Sequence, residues 1–194
     1  MPLAPITLTG EEVRLEPLSL EHHAGLCEVG LDPALWRWTP VRVATPAEMR
    51  SYVEDALRMR ETGSALPFAM IDVASGRVVG STRYGNIDAA NRKVEIGWTF
   101  VAPPWQRTRI NTEAKYLMLR HAFETLGCIR VELKTNARNE TSRRAIARIG
   151  AREEGTLRNH MIHPDGSYRD SVYFSVIESE WPGVKAALEA KLNR

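Results

Sequence analysis

The chain has 194 residues, 43% hydrophobic and 26% charged, with a formal net charge of +2. These values fit one globular domain over residues 1–194 and leave too little chain for two comfortable cores. So small a charge argues against nucleic acid as a partner, which leaves a strongly basic stripe, and no apolar run approaches a bilayer span, so no membrane partner is expected.

In chain order, "EEVRLEPL" alternates Val13 and Leu15 with charged neighbours and predicts a strand ended by Pro17. "SLEHHAGLCEVG" offers Ser19 as an N-cap and Gly30 as a stop, a short helix. In "TPAEMRSYVEDALRMRETG", Thr45 caps, Pro46 opens and Gly63 closes a second helix, whose apolar face is Met49, Tyr52, Val53, Ala56 and Leu57. "LPFAMIDV", "VVGSTRYGNI" and "VEIGWTFV", joined by the turns "ASGR" and "DAANRK", predict an antiparallel meander. A helix from Thr112 to Leu126, closed by Gly127, then leads to the strand "CIRVELKT". Strand, helix and strand in succession form a crossover whose two strands lie parallel. "NETSRRAIARIG" is a helix capped by Asn139, with Ala145, Ile146 and Ile149 inward and Gly150 closing it. "AREEGTLRNHMI", the turn "HPDGS" and "YRDSVYFSVI" predict a hairpin, and an amphipathic helix starts near Trp181. The fold class is α+β: a mixed, mostly antiparallel sheet with one parallel pair, flanked by helices.

Cys27 and Cys128 stand far apart in apolar contexts, with no companion at metal-ligand spacing, which predicts two buried thiols. "MPLAPITLTG" lacks a basic segment followed by an apolar run. A reducing cytoplasm is the expected compartment.

The stretch "WQRTRINTEAK" places a loop with two arginines at a helix start. A helix N-terminus has unpaired N–H groups and a partial positive charge, so it suits phosphate. Here Gln106 to Asn111 form the loop, Thr112 to Lys115 the first turn, and Arg107 and Arg109 the countercharge. On spacing alone the residues read first as solvated arginines with Asn111 as a cap. In "KVEIGWTFV", Val94, Ile96, Trp98 and Phe100 are expected on one face and Glu95, Gly97 and Thr99 on the other. A carboxylate on a central strand is unusual. Glu95 reads as a base or as an ion-pair partner of Lys93 or Arg83. His160, His163 and Asp165 lack the ligands of a metal site and read as turn residues, so no metal is expected. Arg169 and Asp170 are expected to form a buried ion pair. Trp36 and Trp38, at period two, read as a strand-like edge packed on the core.

The order of elements, with "VEIGWTFV", "WQRTRINTEAK", "NARNETSRRAIARIGAREEG" and "DGSYRDSVYFSV", resembles the GNAT superfamily of acyl-CoA-dependent N-acetyltransferases. Within it the chain is most similar to the branch of ribosomal-protein N-terminal acetyltransferases. The resemblance implies acetyl-CoA as acyl donor and an amine acceptor, either a small molecule or a protein N-terminus, with homodimers among the family's arrangements. A larger or acidic acyl group is compatible, and a cationic pocket would favour succinyl. In the superfamily the loop reads Q/R-x-x-G-x-G/A, and its amides hold the pyrophosphate of coenzyme A. Gln106 fills the first position here, while Arg109 and Asn111 stand in the glycine slots; Arg107, Thr108, Ile110 and Thr112 complete the segment. The resemblance further implies that Trp98, Thr99, Phe100 and Val101 pair through their backbone with the pantetheine arm. It implies Glu95 as base, Asn139 on the cofactor arm, and Ser142 as proton donor to the thiolate, with Tyr173 as its rival. Trp36, Trp38 and Tyr84 are the expected acceptor walls. A coenzyme A-binding module without catalysis is the competing reading, kept open by Arg109.

Overall fold

The computed structural model describes residues 4–193. An eight-stranded sheet runs through it in the order β1-β2-β3-β4-β5-β6-β8-β7. Its strands are β1 (Leu8–Thr9), β2 (Val13–Pro17), β3 (Leu66–Asp72), β4 (Val78–Asp88), β5 (Lys93–Val101), β6 (Arg130–Asn136), β7 (Arg152–Ile162) and β8 (Tyr168–Ile177). The helices are α1 (His23–Gly30), α2 (Pro33–Trp36), α3 (Pro46–Glu61), α4 (Ile110–Arg120), α5 (Glu140–Arg148) and α6 (Trp181–Leu192). Neighbouring strands are antiparallel except β5 and β6, which α4 joins as the expected crossover.

Local chemistry sets these boundaries. At α3 the Thr45 hydroxyl accepts from the Glu48 amide at 3.2 Å, and the Glu48 carboxylate accepts from the Thr45 amide at 2.9 Å, a reciprocal cap. Helix α4 starts two residues before Thr112, and its last turn, His121–Thr125, widens into a π-helix. Gly127 then takes φ +67°, which stops it. Strand β1 and helix α2 were not anticipated. The latter is capped by Asp32, whose carboxylate accepts from the Ala34 amide at 2.9 Å.

Each face of the sheet has its own core. On one, Leu26, Met49, Tyr52 and Val53 from α1 and α3 bury Ala69, Ile71 and Phe100. On the other, α4, α5 and α6 bury Val94, Ile96, Val131, Val172 and Phe174. Cys128 belongs to the second core and Cys27 borders the first, so the sheet lies between them.

Strands β5 and β6 pair only over Lys93–Glu95 and Arg130–Glu132, although β5 runs on to Val101 and β6 to Asn136. Past Glu95 they part, leaving a wedge in the sheet. Opposite this wedge the β4–β5 register shifts between Ser81 and Arg83, and Trp98 takes φ +50°. This is a bulge, and it turns the chain by one residue. The alternation expected along "VEIGWTFV" therefore fails beyond Gly97. Trp98 and Phe100 join the Glu95 face, while Thr99 joins the face of Val94 and Ile96, where its hydroxyl meets Lys115 of α4.

Candidate active site

The loop entering α4 has one left-handed residue, Arg107, with φ +62°. Arg109, in the first glycine slot, keeps an ordinary helical φ of −72°, and Asn111 lies inside the first turn of α4. Neither slot therefore demands glycine for its backbone. The Arg109 guanidinium turns to the Glu12 carboxylate at 3.6 Å. Thr108 accepts from the Ile110 amide at 3.3 Å, and the Gln106 side chain donates to the Val101 carbonyl at 2.8 Å. Among the described residues, the amides of Arg107, Thr108, Arg109, Asn111 and Thr112 donate to no protein acceptor. The Asn111 Oδ1 is buried without a partner. A helix start with that many open donors fits the phosphates of a coenzyme.

Glu113 anchors this end of α4. Its buried carboxylate accepts from the amides of Glu11, Glu12 and Val13 at 2.8–2.9 Å. Gly10 lies so close that a Cβ there would sit 2.3 Å from the Glu113 carboxyl carbon. Behind the bulge, the buried Lys115 donates to Thr99 Oγ1 at 2.6 Å, and burial lowers its pKa to about 7.

On the opposite face, Glu95 is 2% exposed. Its Oε2 accepts from Asn86 Nδ2 at 2.7 Å and pairs with Lys134 Nζ at 3.1 Å. The ion pair is thus made with Lys134, not with Lys93 or Arg83; Lys93 pairs with Glu132. Oε1 is left over Gly97, where a Cβ would stand 2.9 Å from it. The Lys134 ammonium also lies over the rings of Trp98 and Tyr173, 5.9 and 5.7 Å from their centroids. The Tyr173 hydroxyl is 3.5 Å from His160 Nε2, and His160 Nδ1 is 3.0 Å from Ser171 Oγ. Burial, followed by the charges of Lys134 and Arg169, lowers the His160 pKa.

Asn139 caps α5 as expected, its Oδ1 accepting from the Ser142 amide at 3.1 Å. Among the described residues the Ser142 hydroxyl makes no hydrogen bond. Glu95, Trp98 and Tyr173 are drawn together through Lys134, and Ser142 lies in the first turn of α5. Trp36 is a core residue that donates to the Gly30 carbonyl at 2.7 Å and packs on Tyr52 and Phe100. With Trp38 it lines an open cleft of about 440 Å³, where Trp38 lies between the guanidinium groups of Arg37 and Arg138. His163 closes one side, with Nε2 3.0 Å from Asn136 Nδ2 and Nδ1 3.1 Å from the Thr39 carbonyl.

Two expectations are corrected. Tyr84 is wholly buried on the α4 side and gives its hydroxyl to the Met118 carbonyl at 2.5 Å; a side chain without exposed surface offers no wall to an acceptor. Arg169 and Asp170 do not pair, because successive residues of a strand face opposite ways. Asp170 accepts from the Asn159 amide at 2.7 Å, and the buried Arg169 keeps an Nε without a partner. Sequence reading missed Lys134, Lys115 and Glu113. Each is a charged residue whose partner lies 16 or more residues away in the chain.

Residues 12–152 match the family described as an acetyltransferase (GNAT) domain. A Bacillus subtilis protein named "Putative ribosomal N-acetyltransferase YdaF" is 36% identical over 110 residues; the match covers 57% of this chain and 59% of that protein. A crystal structure of a GCN5-related N-acetyltransferase from Brucella melitensis superposes with a TM-score of 0.90 at 36% identity, covering 97% of this chain and 86% of that one. Mycobacterium smegmatis RimJ, solved in complex with CoA-disulfide, superposes with a TM-score of 0.80 at 26% identity, covering 92% and 88%.

Proposed function

The chain belongs to the GNAT acetyltransferase family, and on that premise we propose that it moves an acetyl group from acetyl-CoA to a primary amine, a protein N-terminus or a small molecule, by direct attack. The reading takes residues 1–194 as one catalytic domain. One observation carries it: the wedge between β5 and β6 opens at the Trp98 bulge, beside the free Oε1 of Glu95. Acetyl-CoA supplies the thioester that the amine attacks. The open amides from Arg107 to Thr112 hold its pyrophosphate, and Asn139 contacts its arm. Backbone groups of Trp98 to Val101, without β6 partners, extend to the pantetheine and polarise the carbonyl.

Glu95 takes a proton from the amine through Oε1, directly or through one water, while Asn86 and Lys134 fix the other oxygen. The N–C bond forms, the C–S bond breaks, and the departing thiolate takes a proton. Ser142 is the donor in this scheme, its hydroxyl uncommitted, with Tyr173 as the second candidate. Trp36 and Trp38 border the acceptor's approach. The name of the Bacillus subtilis relative, a ribosomal N-acetyltransferase, supports a protein acceptor.

The test is release of free thiol from acetyl-CoA with a panel of amines and N-terminal peptides. At least one acceptor should accelerate release, and Glu95→Gln should lower kcat by about 10²-fold or more with coenzyme A binding retained. Tight binding without acceleration by any amine, and no change in Glu95→Gln, would defeat the reading.

A further inference from the structure

On the Glu95 face of the sheet, three cationic side chains meet one carboxylate. Lys134 neutralises Glu95, which leaves Arg83 and Arg169. Arg83 is 2% exposed. Its Nε and Nη2 are buried without partners, and its Nη1 has only the sulfur of Met59 at 3.5 Å. The guanidinium lies between the rings of Tyr52 and Trp98, 5.0 and 5.2 Å from their centroids. Arg169 is likewise buried, with an unpartnered Nε, and desolvation lowers its pKa against the opposing pull of Glu95. A buried guanidinium without a counter-ion is costly, and aromatic faces recover only part of that cost. The unpartnered atoms of Arg83 are also a matched set. Nε and Nη2 form one edge of the guanidinium, which grips a carboxylate by two parallel N–H···O bonds.

We propose that the site recognises a carboxylate borne by one of its two substrates, held edge-on by Arg83 with Arg169 adding charge. The Trp98 ring, half-buried on a left-handed residue, lies over the guanidinium beside this edge. The inference rests on the acyl-transfer reading above and adds a substrate class to it. The carboxylate has two sources, the far end of a dicarboxylic acyl-CoA or the amine acceptor. Arg83 lies directly across the ladder from Gly97, beside the bulge, so either substrate reaches it from the reacting end. A polyamine would add charge to a face that already carries a cationic surplus.

Two arms separate the sources. The first compares succinyl-CoA with acetyl-CoA, by calorimetric Kd and by thiol release. The second uses acetyl-CoA with β-alanine and β-alaninamide, which differ as carboxylate and carboxamide. In one arm the carboxylate form should win by 10-fold or more. Arg83→Met should erase that ratio, and Arg83→Lys, which keeps the charge but lacks the two-donor edge, should restore less than a tenth of it. Should Arg83→Met not fold, the wild-type ratios and Arg169→Met decide. Equal use of both forms in both arms, by an enzyme that does transfer acetyl groups, overturns the carboxylate site and leaves the acyl-transfer reading intact. Preferential, Arg83-dependent binding of succinyl-CoA without transfer to any amine upholds the carboxylate site and defeats the transfer reading. Neither transfer nor preference overturns both.

Discussion

Lys115 lies 6% exposed with its ammonium nitrogen on the Thr99 hydroxyl and no carboxylate in contact among the described residues. Burial pulls its pKa to about 7, against an ordinary 10.5. Above pH 10.5 the amine is neutral in both the folded and the unfolded chain, and its ionisation costs nothing. As the pH falls from 10.5 to 7, the unfolded chain takes up a proton that the folded one refuses, so stability drops. Below 7 both states are protonated and the loss is complete. Three and a half pKa units correspond to about 5 kcal/mol as an upper bound. Lys115→Met should therefore stabilise the protein near pH 7 by roughly 2–4 kcal/mol, within the range of large single-residue effects. It should also flatten the rise in stability between pH 7 and pH 10.5. Urea melts at pH 7 and pH 9 on both proteins measure this, and equal pH slopes would contradict the assignment.

At the scale of elements, the start of α4 is fixed less by its own turn than by the β1–β2 connection. Glu113 gathers three amides of that connection, and Arg109 reaches back to Glu12. Glu113→Ala leaves three N–H groups without an acceptor, a cost of roughly 2–4 kcal/mol. It also frees the loop that presents the open amides, so acetyl-CoA affinity should fall, with KM rising more than kcat falls. Gly10→Ala, which forces the Glu113 carboxylate aside, should shift KM in the same direction. A stability loss with unchanged KM would mean that the tie holds only the fold. The sequence displayed the elements themselves well, because caps and stops are local: Thr45 with Glu48, Asn139, and glycines at 127 and 150 all act where they stand. It could not display what happens after a bulge. A single left-handed residue, Trp98, exchanged the faces of Trp98, Thr99 and Phe100. The partners of Glu95 were hidden for a related reason. Lys134 lies on β6, and only the parallel pairing of Glu95 with Glu132 brings it near. The left-handed turn at Arg107 carried no glycine to announce it.

Taken whole, the sheet is two ladders, β1–β5 and β6–β8, whose strands pair with each other over Lys93–Glu95 and Arg130–Glu132, with the Ile129 amide donating to the Arg92 carbonyl at 2.9 Å just before them. On one face the packing of α4, α5 and α6 lies beneath the seam, and on the other Lys134 of β6 reaches Glu95 and Trp98 of β5. An acyl-CoA lying in the wedge would pair with β5 on one side and touch α5 through Asn139 on the other, bridging both ladders. Because it binds the folded chain and not the unfolded one, coenzyme A at 100 times its Kd should add about 2.7 kcal/mol of stability. For a chain of this length that corresponds to a rise of roughly 5–10 °C in Tm. The bridging geometry adds a spatial requirement that mass action alone does not. Amide exchange should slow most at the seam, around Glu95 and Glu132, and at the entry to α4, while the outer strands β1 and β7 change little. Protection spread evenly over the sheet would place the ligand elsewhere, even if Tm rose by the full amount.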